Sequence, residues 1–174
     1  MKNITTKVSL FALMALMPMA AQAAGTATQT VTTSIIFDTP LTVDGTATIN
    51  FGTVTAGVAE TYTVSTAGVL SAVTPANILS STGVAAAALA VHGSTFTTIN
   101  VAANYSAAAN GMTLQNATCN YGGAGEVACS SITAGAAPGA STPLLVGVSL
   151  VADNTNTANS VAETATFDIV VTYN

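Results

Sequence analysis

Thr164-Ala165-Thr166-Phe167-Asp168-Ile169-Val170-Val171-Thr172-Tyr173-Asn174 is the stretch that decides the fold. Ala165, Phe167, Ile169, Val171 and Tyr173 fall on one face of an extended chain and Thr164, Thr166, Asp168, Val170 and Thr172 on the other, which is the period of two that marks a half-buried strand. Phe167, Ile169, Val171 and Tyr173 are therefore the candidate strand-pairing edge. The chain ends directly on this strand without a polar tail to shield it, so the expectation is that another strand pairs with it or covers it.

The same period recurs upstream in short runs: Leu41 and Val43; Ala47, Ile49 and Phe51; Tyr62 and Val64; Ile99, Val101, Ala103 and Tyr105; Met112 and Leu114; Leu144, Val146, Val148 and Leu150. Turn residues separate the runs at Asp38-Thr39-Pro40, Asp44-Gly45, Ala56-Gly57, Asn110-Gly111, Gly122-Gly123 and Pro138-Gly139, a punctuation that suits an all-β sandwich. Only the alanines of residues 84–90 favour a helix, and they run into Val91 and a break at Gly93, so this segment also reads as a strand with small side chains.

The amino-terminal residues read differently. Lys2 and Lys7 precede an apolar run, residues 8–19, and Ala21-Gln22-Ala23 offers the small residues of a signal-peptidase site, so residues 1–23 are expected to be a cleaved secretory signal peptide. The run is too short for a permanent membrane anchor, which needs about 20 apolar residues. Residues 24–36 form a small, Thr-rich extension, a candidate exchangeable segment, in which Val31, Ile35 and, at the domain boundary, Phe37 alternate. The β-sandwich domain is expected over residues 37–174.

Both basic residues of the chain, Lys2 and Lys7, lie inside the expected signal, and all seven acids lie outside it. A surface without Lys or Arg cannot neutralise phosphates, so nucleic acid and anionic lipid are poor partners. Cys119 and Cys129 are the only cysteines, and in an oxidising compartment they are expected to form a disulfide across a turn at residues 120–126. The loop-entropy contribution of such a bridge is roughly 2.5–3 kcal/mol.

Catalytic chemistry finds little to work with. His92 is the single histidine, it lies before Gly93 and Ser94 without a nucleophile elbow, and the acids are scattered rather than paired. Two thiols and one distant histidine do not make a metal-ligand set. Asp153-Asn154-Thr155-Asn156 lacks the acid spacing and glycine of a calcium loop and reads as a solvated turn. No cofactor and no enzymatic activity are expected. Paired threonines such as Thr26/Thr28 and Thr46/Thr48 lack the fixed period of an ice-binding solenoid.

Pro40-Leu41-Thr42-Val43, the block Ala47-Thr48-Ile49-Asn50-Phe51-Gly52-Thr53-Val54-Thr55-Ala56-Gly57 and the ending Thr166 to Asn174 together resemble a family of exported bacterial domains of unknown function, itself similar to the pilus subunits assembled by a chaperone and an usher. The resemblance spans residues 37–174, with the Phe-Gly-Thr-Val block and the Val-Val-Thr-Tyr-Asn ending as its more specific parts. It departs from the pattern at Val161, where such subunits often carry glycine, and in lacking a Gly-x-Tyr approach to the last strand. What it implies is an immunoglobulin-like antiparallel sandwich that is incomplete and is completed by strand donation, with Val31, Ile35 and Phe37 as the candidate donor strand. The implied partners are identical or related subunits, a periplasmic chaperone and an outer-membrane usher. Two outcomes stay open: a fimbrial subunit whose edge is filled by a neighbour's arm, and a stand-alone adhesin or binding module whose residues 31–37 complete its own sheet.

Overall fold

In the computed structural model, residues 30, 32–108, 110–157 and 162–174 are described. The expected signal peptide, Val31 and Val161 lie outside them. The chain divides into two units, Met1–Ile36 and Phe37–Asn174; the fold below is that of the second.

Among the described residues eleven strands carry it, in the order β1 (Thr42–Thr46), β2 (Thr53–Val54), β3 (Glu60–Val64), β4 (Leu70–Ala72), β5 (Ile78–Ser80), β6 (Ala87–His92), β7 (Ile99–Tyr105), β8 (Met112–Tyr121), β9 (Val127–Ala128), β10 (Thr142–Ala152) and β11 (Phe167–Tyr173). The only helical pieces among the described residues are 3₁₀ turns at Pro75–Asn77 and Cys129–Ser131, so the all-β expectation holds. No helix among the described residues is long and apolar enough to cross a membrane.

The larger sheet is organised around β10. Its first half pairs with β6 and its second half with β3, while β8 runs antiparallel along its other side. Gly147 stands where β6 gives way to β3, and a Cβ there would collide with the Val64 carbonyl, so the handover needs a residue without a side chain. Beyond β6 lies β1, paired antiparallel from Thr42↔His92 to Thr46↔Ala88. The second sheet pairs β11 with β7 antiparallel, from Phe167↔Tyr105 to Tyr173↔Ile99.

Leaving aside the four inserted strands β2, β3, β4 and β5, of which β3 and β4 extend the larger sheet beside the second half of β10, and the short β9, the order β1-β6-β10-β8 against β7-β11 reproduces strands A-B-E-D against C-F of an immunoglobulin-type sandwich. No strand among the described residues occupies the seventh, G, position beside β11.

The core lies between the sheets, with Val91, Ile99, Cys119, Leu144 and Val146 fully buried and Val148 nearly so. In β8 the buried positions change phase. Met112 and Leu114 face inward, and then Ala117, Cys119 and Tyr121 do. Asn116, with φ of 51°, absorbs the extra residue; asparagine tolerates this left-handed conformation better than most side chains. The hydroxyl of Tyr105 reaches across from the other sheet to accept the Ala117 N–H at 2.6 Å and so holds the bulge.

One expected strand is interrupted. Ala47, Ile49 and Phe51 alternate, yet only Asn50 makes a bridge, to Ala85. Its register is offset by one residue from that of β1 and β6, so the ladder breaks between Thr46 and Asn50. Ile49 and Phe51 still pack against the core.

The disulfide between Cys119 and Cys129 is formed, with Cα atoms 4.8 Å apart. It closes the β8–β9 hairpin, in which Cys119 pairs with Val127. Both cysteines are buried, so the bridge is part of the core as well as a surface staple.

Candidate functional site: the open edge of the terminal strand

β7 and β11 are the two strands of one sheet, but their outer edges differ. The outer edge of β7 is covered by residues 132–135: Ile99 N–H donates to Gly135 O at 3.0 Å, Gly135 N–H returns a bond to Ile99 O at 2.8 Å, and Val101 N–H donates to Ile132 O at 2.9 Å. Among the described residues no strand pairs with the outer edge of β11.

Alternation of the ladder identifies the backbone groups on that edge. Asn174 N–H donates to Thr98 O at 2.9 Å and Ser106 N–H to Thr166 O at 3.4 Å, so the even-numbered residues of the terminal strand direct their amides and carbonyls toward β7. Phe167, Ile169, Val171 and Tyr173 then direct theirs outward. Their side chains face the core yet stay only half-buried, whereas Asp168, Val170 and Thr172 are exposed. One set of four residues thus presents both an unpaired ladder and an incompletely covered apolar row. Sheet extension requires both features.

The facing wall comes from the other sheet. Leu41, Ile49, Phe51 and Leu89 are also partly buried against the core, and β1, the edge strand of that sheet, is exposed along its whole length. Leu41, Ile49 and Phe51 were legible as alternating apolar positions and Leu89 was not; the role of all four was hidden, because it depends on which sheet edge each strand occupies.

At the Tyr173 end the two walls meet. The Tyr173 hydroxyl donates to Thr39 O at 2.7 Å and accepts the Ser94 N–H at 2.7 Å. Ser94 is fully buried, and its hydroxyl accepts the N–H groups of Phe96 and Thr97 at 2.9 and 3.1 Å. Hydrogen bonds from Ser94 and from the Thr39 N–H hold the Asp38 carboxyl below the usual carboxylate range. Neither Ser94 nor Thr39 stood out in the sequence; the available signal was a Gly93-Ser94 pair directly after a strand.

Of the candidate donor residues, Val31 lies outside the described residues. Ile35 and Phe37 are 73% and 86% exposed and belong to no strand, with Ile36 between them 88% exposed.

Other chemistry is sparse. His92 places Nε2 3.2 Å from Asp44 Oδ1 and Nδ1 against the Ala140 carbonyl, partners that raise its pKa, the carbonyl contributing most. Asp153 uses its carboxylate on the backbone and hydroxyl of Thr155, two residues along its own turn. Among the described residues no three His, Cys, Asp or Glu side chains cluster as metal ligands. A shallow depression of about 500 Å³ beside the disulfide hairpin is lined by Tyr121, Gly125, Val127, Ile132 and Gly135 among others, and contains no acid or base. Of the rings that a sugar-binding surface could use, Tyr62 and Tyr121 are buried, the Tyr121 hydroxyl donating inward to Ala136 O at 2.9 Å, while Tyr105 is 41% exposed with its hydroxyl engaged by the Ala117 N–H.

No known family, no curated protein and no solved structure matches the chain. The open edge therefore has to be interpreted from its own geometry.

Proposed function

We propose that this protein is a structural, non-enzymatic subunit of a bacterial surface filament, exported through the periplasm and assembled by β-strand addition. The carrying observation is the outer edge of β11, where the unpaired backbone of Phe167, Ile169, Val171 and Tyr173 coincides with their half-covered side chains. A strand laid there would fill the G position, gain main-chain hydrogen bonds and cover the apolar row. Ile35 and Phe37, exposed at the boundary of the amino-terminal extension, support an arm available for donation. An open edge of this kind aggregates unless capped during export, which is the reason for a chaperone and an usher as the further partners.

Size-exclusion chromatography of the exported protein tests the reading. Concentration-dependent, head-to-tail oligomers are expected. A stable monomer at high concentration, made without any helper, would sink it.

A stand-alone binding module is favoured by one observation: Phe96 projects from the β6–β7 turn with 87% of its surface exposed. Glycan-array binding by a monomer, lost on Phe96→Ala, would establish that alternative.

A further inference from the structure

The open edge of β11 has two unlike ends. At its start, beside Phe167, no hydrogen bond among the described residues ties the terminal strand to the β1 side. At its finish the Tyr173 hydroxyl uses its single proton on the Thr39 carbonyl and accepts from Ser94, which binds the segment ahead of β1, the β6–β7 turn and the last strand together. The surroundings are built for that hydroxyl. Ser94 is held on several sides: its hydroxyl donates to the Asp38 carboxylate and accepts from Phe96 and Thr97, its carbonyl accepts the Gly139 N–H at 2.9 Å, and its own N–H meets the tyrosine. Gly93 does not have a positive φ, so its backbone conformation does not call for glycine. Space does, because a Cβ there would collide with the Tyr173 Oη, with Pro138 Cγ and Leu41 Cδ1 also close at 3.1 and 3.2 Å.

We propose that the Tyr173 hydroxyl is the register stop of the edge, a latch that makes the groove beside β11 blind at one end and so fixes how far an incoming strand can advance. The inference rests on the strand-addition reading. A slip by one pleat repeat would keep the guest's apolar side chains on the core face, so the hydrophobic pattern alone cannot exclude it. The donor extension, rich in Ala and Thr, has few large anchors to resist that slip. The stop supplies the missing constraint. A guest advancing from the Phe167 end pairs opposite Phe167, Ile169 and Val171 and halts where Asp38 and Thr39 cross over to Tyr173. Tyr173 is thereby a positioning residue, acting through the latch.

The test uses the exported full chain, its Tyr173→Phe and Gly93→Ala variants, and a synthetic peptide of residues 24–37 with a photoreactive benzophenone in place of Thr30. Circular dichroism and thermal unfolding establish that each variant is folded. Exchange of the Ser94 amide is read without peptide, and the cross-linked site is read with it. In the wild type the peptide should cross-link in one register. In Tyr173→Phe the Ser94 amide should exchange roughly fivefold faster, the scale of one lost hydrogen bond, and a second product, shifted one pleat repeat toward Asn174, should appear. Gly93→Ala keeps the hydroxyl but displaces it, and should give the same second product. One identical register in all three proteins overturns the stop and leaves strand addition standing. Absence of any cross-link to β11 in all three overturns both.

Discussion

The two flanks of the sandwich are built from the same alternating sequence and end up in different states. On the flank bounded by the outer edge of β7 and by β8, the backbone is covered by residues 132–135 and by β9, and Ile99, Val101, Cys119 and Cys129 are at most 3% exposed. On the flank bounded by β1 and β11, equally apolar residues stop at half-burial. Side-chain pattern determines which face of a strand turns inward, but the depth of burial depends on what lies across the strand's edge. One flank is finished by its own chain, and the described residues leave the other unfinished.

Mutation should separate the flanks by energy. Replacing both Cys119 and Cys129 by alanine removes the closed flank's cross-link and should cost about 2–5 kcal/mol in urea unfolding. A loss under about 1 kcal/mol would mean that residues 132–135 and β9 hold this flank without the bridge.

Leu144→Ala and Ile169→Ala sharpen the contrast through one kind of truncation. Leu144 is fully buried, and its loss should cost about 2–5 kcal/mol whatever the state of assembly. Ile169 is half-covered, so its truncation should cost the monomer about half as much and approach the fully buried value only once the edge is filled. Equal costs in the monomer would show that the open flank is already covered.

Much of this fold was legible in the sequence. Each alternating run except residues 47–51 supplies a strand, the two cysteines pair across the expected turn, and Phe167, Ile169, Val171 and Tyr173 form one inward row. The phase change at Asn116 was not legible, because it arises from a bulge that Tyr105 holds from another sheet. Nor was the break after β1, which is an offset in pairing to β6 with no mark in the apolar pattern. The latch was hidden for a similar reason: Tyr173 reads as one more apolar member of its row, and its hydroxyl acquires a role only where Thr39 and Ser94 arrive beside it.

Acid should act through the larger sheet. Glu60, only 8% exposed, accepts from the N–H groups of Thr61 and Thr74 and the amide of Asn77, and Glu126 accepts from both the hydroxyl and the N–H of Thr66. These bonds hold both carboxyls below the usual glutamate range, led by the Thr61 N–H for Glu60 and the Thr66 hydroxyl for Glu126. A depressed pKa contributes stability that is present above the unfolded value and is lost as pH falls through the folded one. Thermal stability should therefore decline below about pH 4.5. Glu60→Gln should lower stability at neutral pH and flatten that decline; an unchanged acid slope would remove Glu60 as its source.

Within the open flank, where the depressed carboxyl of Asp38 shares the acid response, β1 should respond at the other end of the pH scale, and more weakly. His92, on β6, faces acceptors from both ring nitrogens, the Ala140 carbonyl at Nδ1 and the Asp44 carboxylate of β1 at Nε2. Only the imidazolium has a proton for each, so the protonated ring ties the exposed strand β1 to its neighbour, and the pKa is raised. A raised pKa contributes stability that is fully present below the unfolded value and disappears as pH rises through the folded one. The pair is solvent-accessible, with Asp44 70% exposed, so the effect should be small and salt-sensitive. Hydrogen exchange of the β1 amides, corrected for the intrinsic effect of pH, should show protection lost as pH rises above about 6.5. Asp44→Asn should weaken that dependence while leaving the acid response of Glu60 intact. If β1 loosens in acid instead, the depressed Asp38 ahead of it and not the His92 pair governs this strand, and the tie between β1 and β6 does not depend on the imidazolium.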